Sequence, residues 1–526
     1  MAEAISYDTL EMGWVGDWAG RRRCHSPDRV AVTDADTGRS WTYAALDDRA
    51  SRVGRWLTRD LGLTRGDVIS FVARNRIEAI DLYLACGKTG IVLAPLSYRL
   101  AAPELTDLLA RIRPRAVFVE DAFADLMADV TMPSSVATRM AWRDSDGDYE
   151  RTALQTESDD VNVPLAMADT FLYIHTGGTT ATPKVCIVPH RQMVWNSVEL
   201  IVASPEAMAG RVELLLFPLF HIGGWNTFTP IFHAGGQIVL LREFDAGKVL
   251  RAIDELGVNH FGAVEAMLRF IARHPDFADR GLASLRAITT AGAACSADAM
   301  KPFWDRGIAV TQSYGQTEAG PSNFIHGRLG GDMDEMRARH DSIGTSFFHC
   351  DYRIVDPESR VPVERGQPGV LMMRSPHTFD GYLGQPERTA ETVDADGWVW
   401  SGDLAREDEE GYVYLVGRAD NMFVSGGENI SPEEIERELG SHPDVSQVAV
   451  FGVPDEQWGQ VPMAVIVAAG RSPEAAELRA WLGARVARFK IPRRFAFADE
   501  LPLTGAGKID RNAARRRYAD EQQHDR

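Results

Sequence analysis

From Ile174 to Lys184 the chain reads Ile-His-Thr-Gly-Gly-Thr-Thr-Ala-Thr-Pro-Lys, a Gly/Thr-rich run after a strand-like segment. Such a loop offers backbone N–H groups, with Gly178 allowing close approach, the hydroxyls of Thr176, Thr179 and Thr180, and the Lys184 ammonium to a polyphosphate. A polar surface turn is the commoner source of that composition. A second segment argues otherwise. Ser313-Tyr314-Gly315-Gln316-Thr317-Glu318 groups an aromatic ring, a hydroxyl and a carboxylate, suited to stacking on adenine, contacting phosphate and coordinating Mg2+.

In this order the two segments resemble the phosphate loop and the Tyr-Gly-x-Thr-Glu motif of the ANL superfamily of adenylate-forming enzymes, which includes acyl- and aryl-CoA synthetases, peptide-synthetase adenylation domains and luciferases. The resemblance runs along nearly the whole chain. Trp41-Thr42-Tyr43, Gly66-Asp67-Val68, Asn75 and Ala94-Pro95-Leu96 fit the opening blocks, and Pro218-Leu219-Phe220-His221 resembles the segment closing over the acyl site. The resemblance implies that Ala291-Gly292-Ala293 passes beneath the adenosine, that Asp403 and Arg418 hold the ribose, and that Lys508, in Leu501-Pro502-Leu503-Thr504-Gly505-Ala506-Gly507-Lys508, is the catalytic lysine. His221, Trp225, Val264, Glu265, Ala291 and Gly292 are the acyl-pocket candidates it suggests. A carboxylate attacking the α-phosphorus of ATP builds charge on phosphoryl oxygens, so Lys508, Thr317, His221 and a Glu318-bound Mg2+ suit that transition state.

Family members rotate a small C-terminal domain between two half-reactions, and Asp420 falls at the hinge. Gly426 and Gly427 would then line a pantetheine tunnel, while Trp458, Phe489, Lys490 and Arg493 offer aromatic and basic groups to the adenine and phosphates of coenzyme A. This wording resembles CoA ligases more than adenylation domains. The expected partners are therefore a carboxylic acid or its acyl-AMP and coenzyme A, with ATP consumed and Mg2+ as cofactor where adenylation is retained, and AMP released.

Three positions depart from the family's usual Thr-Ser-Gly-Thr-Thr-Gly-x-Pro-Lys-Gly loop: Gly177 for Ser, Ala181 for Gly and Val185 for the closing Gly. The first loses a hydroxyl; the others exclude or strain positive φ angles, Val185 most of all. The losses fall on the β- and γ-phosphate side, while Tyr314, Thr317, Asp403 and Arg418 are intact. This predicts weakened or lost adenylation with thioester formation from a supplied acyl-AMP retained, which would call for a separate adenylating enzyme. A neutral loop variant is the alternative, and Lys508 and Glu318 favour it. Glu265 stands where the family usually has Pro, as either a polar feature of the acyl pocket or a solvated helix end. Two further readings stay open: an adenylation enzyme loading a carrier-protein thiol, and a non-catalytic acyl-nucleotide-binding protein.

The elements needed to position these groups are legible as well. Apolar runs at Asp67–Val72, Ala116–Val119, Glu213–Phe217, Gln237–Leu241 and Ala287–Thr290 alternate with helix-like stretches such as Glu104–Ile112, the pattern of an α/β fold with flanked, mostly parallel sheets. From Asp351 shorter strands predict a β-rich subdomain. Ser431-Pro432-Glu433-Glu434 then announces a helix, followed by strands at Val445–Phe451 and Met463–Val467 and a helix from about Ser472. The expected organisation is a large domain over 1–419 and a small mobile α+β domain over 420–526, fraying beyond Asp510. The uncharged stretch Leu214–Leu241, broken by Pro218 and Pro230, reads as buried strands and loops rather than a membrane span.

At 526 residues, with 45% apolar and 25% charged residues, the composition is that of a packed globular protein with more than one core. A formal charge of −19 argues against a nucleic-acid backbone as the general partner. Five scattered cysteines predict reduced core residues of a cytoplasmic protein rather than disulfides or a zinc site, and the acidic opening segment predicts no secretory signal. A homodimer is compatible with these features.

Overall fold

The computed structural model describes residues 6–143, 148–157, 161–176, 184–204, 208, 210–292, 294–326, 333–425, 428–455, 458–483, 485–503 and 509–521. Gly178, Thr179, Thr180, Ala293, Gly426, Gly427 and Lys508 lie outside them, as do Gly177 and Ala181. The chain divides into two compact units, Met1–Tyr352 with Met373–Val399, and Arg353–Met372 with Trp400–Arg526.

The first unit is built on two sheets. One runs β1 (Val30–Asp34), β2 (Ser40–Thr42), and later β9 (Val212–Leu215), β10 (Gln237–Leu240), β11 (His260–Ala263), β12 (Ala287–Thr290), β13 (Ala309–Gln316), β14 (Gly320–Ile325) and β15 (Ser342–Ser346). Its order is β15-β14-β13-β12-β11-β9-β10-β1-β2, parallel from β13 to β1 and antiparallel at either end. The other comprises β3 (Val68–Val72), β4 (Val92–Leu96), β5 (Ala116–Glu120), β6 (Thr138–Trp142), β7 (Thr170–Thr176) and β8 (Lys184–Pro189), ordered β6-β5-β3-β4-β7-β8 with only β8 antiparallel. Strands β3, β4 and β5 are buried throughout, as their unbroken apolar runs require of parallel strands covered on both faces. The helix Ile77–Thr89 is buried at every residue, and its Lys88 ammonium is neutralised by Asp17 and Asp47 at 2.6 and 2.7 Å.

The sequence expectations hold for the α/β class and for these strands, with two corrections here. Leu214–Leu241 is not strands and loops alone: Ile222–Ala234 is a helix, entered through His221 and closed by Gly235 at φ 84°. Pro230 sits within it. Among the cysteines, Cys24 is exposed, whereas the other four are buried thiols. Among the described residues, no helix is long and apolar enough to cross a membrane.

The second unit holds most of β16 (Asp351–Val355), β17 (Gly369–Arg374) and β18 (Val399–Glu407), together with β19 (Val413–Arg418), the hairpin β20 (Phe423–Ser425) and β21 (Glu428–Ile430), and a three-stranded sheet of β22 (Val445–Asp455), β23 (Gly459–Ala468) and β24 (Arg494–Ala498). One apolar cluster packs the helices Pro432–Gly440 and Ala475–Gly483 on this sheet. Another packs Ala514 and Tyr518 of the helix Arg511–Glu521 against it. Residues 511–521 therefore form a docked helix rather than a frayed end. Ser431 starts the helix Pro432–Gly440 without a side-chain cap; its hydroxyl donates to the Val416 carbonyl at 2.8 Å, tying the helix to β19.

Candidate active site

The phosphate-loop residues 177–183 connect β7 to β8, an antiparallel pair in which Thr176 faces Lys184. The far edge of β8 is also occupied: Ile187 N–H donates to the Gly381 carbonyl and Leu383 N–H to the Val185 carbonyl, each at 2.9 Å. Val185 is a strand residue, fully buried in the apolar cluster of Val72, Leu96 and Leu105, and is not among the positive-φ residues. The backbone strain expected at Val185 is therefore absent, because this position lies in the strand beyond the loop.

Tyr382 is the residue that joins the two motifs. Its hydroxyl donates to Glu318 Oε1 at 2.7 Å and accepts from Lys184 Nζ at 3.4 Å, with the ammonium 4.7 Å from its ring centroid. Burial, reinforced by the Glu318 carboxylate, drives the phenol far above its ordinary value, so it remains a hydrogen-bond donor. Gly381, at φ 107°, makes the turn before it, where a Cβ would lie 2.7 Å from the Thr389 methyl.

The Thr317–Glu318 turn links β13 to β14 and is held from behind. Gln192 of the helix His190–Ala203 donates from Nε2 to the Thr317 carbonyl at 2.7 Å, and Phe379 N–H donates to the Glu318 carbonyl at 3.1 Å. Tyr314 is half-buried with Phe324 opposite it across the pair. Gly315 is required there, since a Cβ would lie 2.4 Å from the Pro321 carbonyl oxygen.

His221 is exposed at the N-cap of Ile222–Ala234, and its Nδ1 accepts from Gly223 N–H at 3.0 Å. That contact assigns Nε2 as the N–H of the neutral ring. Asn75 fixes the loop leading to it, accepting from Leu219 N–H at 2.8 Å and donating to the Phe217 carbonyl at 3.1 Å. Nearby His175 is buried and accepts from Ser97 N–H through Nε2 at 3.1 Å. Burial first, and His221 second, push its pKa down to about 4.

The remaining acyl-pocket candidates separate. Ala291 and Gly292 follow β12, with Ala291 N–H donating to the Ala263 carbonyl at 3.2 Å and Gly292 at φ 83° facing open space. Val264 is half-buried at the N-cap of the helix Glu265–Arg273. Trp225 lines no open pocket: it is fully buried, its ring stacked on Tyr83 at 4.2 Å. Glu265 is half-buried and fully engaged by neighbours rather than a freely solvated helix end. Its Oε1 accepts from Arg269 Nη2 at 2.6 Å and from the Ser296 hydroxyl at 2.9 Å, and its Oε2 from Ser296 N–H at 3.2 Å. It thus clamps the segment after Gly292.

In the second unit, Asp403 and Arg418 face each other across β18 and β19, with Arg418 Nη1 donating to Asp403 Oδ1 at 3.0 Å. The same guanidinium donates through Nη2 to Asp420 Oδ2 at 3.0 Å, linking the ribose candidates to the expected hinge residue. The coenzyme A candidates form two pairs. Arg493 lies 5.2 Å from the Trp458 ring and Lys490 lies 5.7 Å from the Phe489 ring. Lys490 is already committed to Glu434, at 2.6 Å.

Tyr382, Gln192 and Asn75 are the positioning residues that motif reading missed or left without a role. For Tyr382 the available signal was an aromatic directly after a glycine, in Phe379-Asp380-Gly381-Tyr382. Among the described residues no group of three or more His, Cys, Asp or Glu is gathered to hold a metal. A single carboxylate such as Glu318 does fit Mg2+ shared with substrate phosphates, since that ion takes one or two protein oxygens and keeps the rest for phosphate and water.

The pattern of AMP-binding enzymes matches residues 21–383, and that of the AMP-binding enzyme C-terminal domain matches residues 434–508. Over 506 residues, 96% of this chain and 99% of the relative, the sequence is 35% identical to a feruloyl-CoA synthase of Amycolatopsis sp. It is 32% identical over 516 residues, 96% of this chain and 98% of the relative, to an indoleacetate–CoA ligase of Aromatoleum aromaticum. The crystal structure of ATP-bound MatB from Rhodopseudomonas palustris superposes with a TM-score of 0.87 at 27% identity, covering 96% of this chain and 99% of that one. The chain therefore belongs to the AMP-binding enzyme family, in the acyl-CoA ligase branch of the adenylate-forming ANL superfamily.

Proposed function

We propose that this protein converts a carboxylic acid, through its acyl-adenylate, to the coenzyme A thioester, aromatic acids being the first candidates from the relatives' names. The observation that carries the reading is the Lys184–Tyr382–Glu318 chain, which ties the phosphate hairpin to the adenine motif. In the first half-reaction the acid's carboxylate oxygen attacks the α-phosphorus of ATP, and the bond to the β-phosphate oxygen breaks to release pyrophosphate. Lys184 offers its charge at the hairpin, Thr317 its hydroxyl, and His221 Nε2–H a hydrogen bond to the acyl carboxylate. Glu318 would hold Mg2+, which neutralises phosphate charge. Lys508 is the proposed catalytic lysine of this step.

In the second half-reaction the coenzyme A thiolate attacks the acyl carbon, and the mixed anhydride breaks to release AMP. Asp403 and Arg418 hold the ribose in this reading, and the domain from 420 onward turns about Asp420 to bring Gly426, Gly427, Trp458 and Arg493 to the thiol substrate. Lys490 joins them on exchanging Glu434 for phosphate. Because Val185 is an unstrained strand residue, the case for weakened adenylation rests on Gly177 and Ala181 alone. The thioester-forming half remains the better equipped, since Tyr314, Thr317, Asp403 and Arg418 match the family motifs in full.

Pyrophosphate exchange into ATP, driven by a cognate aromatic acid, tests the division. Slow exchange, with rapid coenzyme A transfer from the synthetic adenylate of the same acid, is expected. Exchange as fast as the transfer would remove the claim of weakened adenylation, and transfer to a carrier-protein thiol but not to coenzyme A would replace the ligase reading.

A further inference from the structure

Within the second unit, a cavity of about 350 Å3 opens between the segment that starts at Asp420, the β22–β23 pair and the first turns of the helix Arg511–Glu521. The steps above do not use it. At roughly 30 Å3 per water molecule it has room for about a dozen waters or one small solute. Its width depends on Gly452 of β22, where a Cβ would lie 2.3 Å from Gln460 Oε1 and 2.6 Å from the Phe423 ring. Glycine there lets the Gln460 amide and that ring share one wall.

Some of the charged groups around the cavity are already matched. Arg511 donates to Glu436 at 3.0 and 2.6 Å and lies 3.1 Å from Glu433, whose Oε1 also accepts from Asn421 Nδ2 at 2.7 Å. Others are not. Arg515, one helical turn beyond Arg511, is exposed and joins no carboxylate among the described residues. The side-chain amides of Gln460 and Asn512 have no hydrogen-bond partner among the described residues either. Asp420 accepts from Arg418 through Oδ2, which leaves Oδ1.

A carboxylate from one wall and a guanidinium from another thus line a single cavity without pairing. An anion alone would meet the charge of Asp420, and a cation alone that of Arg515. A ligand carrying both charges at separate ends matches both, since an ammonium donates to the carboxylate while the planar guanidinium gives two parallel N–H bonds to a carboxylate. The amides of Gln460 and Asn512 can each donate or accept toward the polar body between those ends.

We propose that this cavity is a binding site for a small zwitterion, an aliphatic amino acid held with its ammonium on Asp420 and its carboxylate on Arg515. Asp420 sits at the turning point of the domain in the reading given above, and the effect on turnover rests on that reading; the binding does not. When the backbone at Asp420 turns, its carboxylate moves relative to Arg515, so a ligand of fixed length fits one hinge setting and favours it over the other.

Calorimetric titration of the full chain with glycine, β-alanine and 4-aminobutyrate tests the site, because the separation of the two charges grows along that series. One member is expected to bind at least about tenfold more tightly than its N-acetyl and amide derivatives, each of which lacks one charge. Arg515→Met, on an exposed side chain, should weaken that binding by about tenfold or more, and Gln460→Leu by several-fold. No binding by any member, equal binding of the blocked forms, or binding unmoved by both substitutions would overturn the proposal. Saturation with the bound member should slow thioester formation from acid, ATP and coenzyme A several-fold while sparing either pyrophosphate exchange or transfer from the preformed adenylate. An unchanged overall rate, or equal slowing of both half-reactions, would overturn the coupling to the hinge. No thioester by any route would instead remove the ligase reading and leave the calorimetric result to decide the site.

Discussion

The nucleotide motifs of the first unit and the coenzyme A candidates of the second are held in opposite ways. Glu318, Thr317 and Lys184 are fixed by neighbours that bear no motif: Tyr382 spans a cation and a carboxylate, and Gln192 reaches the turn from a buried helix face. Trp458, Phe489 and Arg493 are exposed, and Lys490 is neutralised by Glu434. On the proposed reading, the difference separates a site organised before its ligand arrives from a surface whose contacts must be exchanged when it does. Preorganised polar groups act strongly on developing charge, whereas exposed pairs contribute little until they are desolvated.

The largest effect should come from breaking the first arrangement. Tyr382→Phe removes one hydroxyl from between Lys184 and Glu318, and a hydrogen bond to a charged group is worth about 1.5–3 kcal/mol. Adenylation measured by pyrophosphate exchange should fall by about ten- to a hundredfold, and thioester formation from preformed acyl-AMP by much less. Equal losses in both assays would make Tyr382 a fold support.

Acid stability sharpens the comparison with an intermediate effect. His190 is buried, stacked on Phe171 at 4.3 Å, and neither ring nitrogen has a hydrogen-bond partner among the described residues. Burial pushes its pKa down to about 4, against an ordinary value of 6.5. Between those values the unfolded chain binds a proton that the folded chain does not, so this histidine costs stability as pH falls from 6.5 toward 4. The Tm of His190→Phe relative to the unmodified protein should therefore rise by several degrees between pH 7 and pH 4.5. A pH-independent difference would mean that His190 takes up its proton equally in the folded and unfolded chains.

The smallest effect belongs to the second arrangement. Glu434→Gln releases Lys490, and because an ion pair still reached by solvent is weak the KM for coenzyme A should drop only about two- to fivefold, more at low salt. An unchanged KM at low salt would detach Lys490 from coenzyme A binding.

Sequence alone disclosed the fold class because parallel strands such as Val68–Val72 and Val92–Leu96 are unbroken apolar runs, a signal that survives without tertiary context. It singled out the candidate nucleotide motifs because each needs several special residue types close together. It misplaced Trp225 and Val185 because burial and backbone conformation are set by distant partners: Tyr83 stacks on the first, and the strand pairing of β8 extends the second. Glu265 was ambiguous for the same reason, its partner Ser296 lying 31 residues away. Tyr382 escaped notice because its two partners, Lys184 and Glu318, come from separate motifs and meet only in the fold.

The most direct measurement supplies the full-length protein with a synthetic aryl-adenylate and coenzyme A, and follows AMP release against thioester formation. AMP and thioester appearing in equal amounts, at a rate far above that without protein, is the predicted result. Release of AMP with free acid and no thioester, or no reaction with any adenylate, would contradict it.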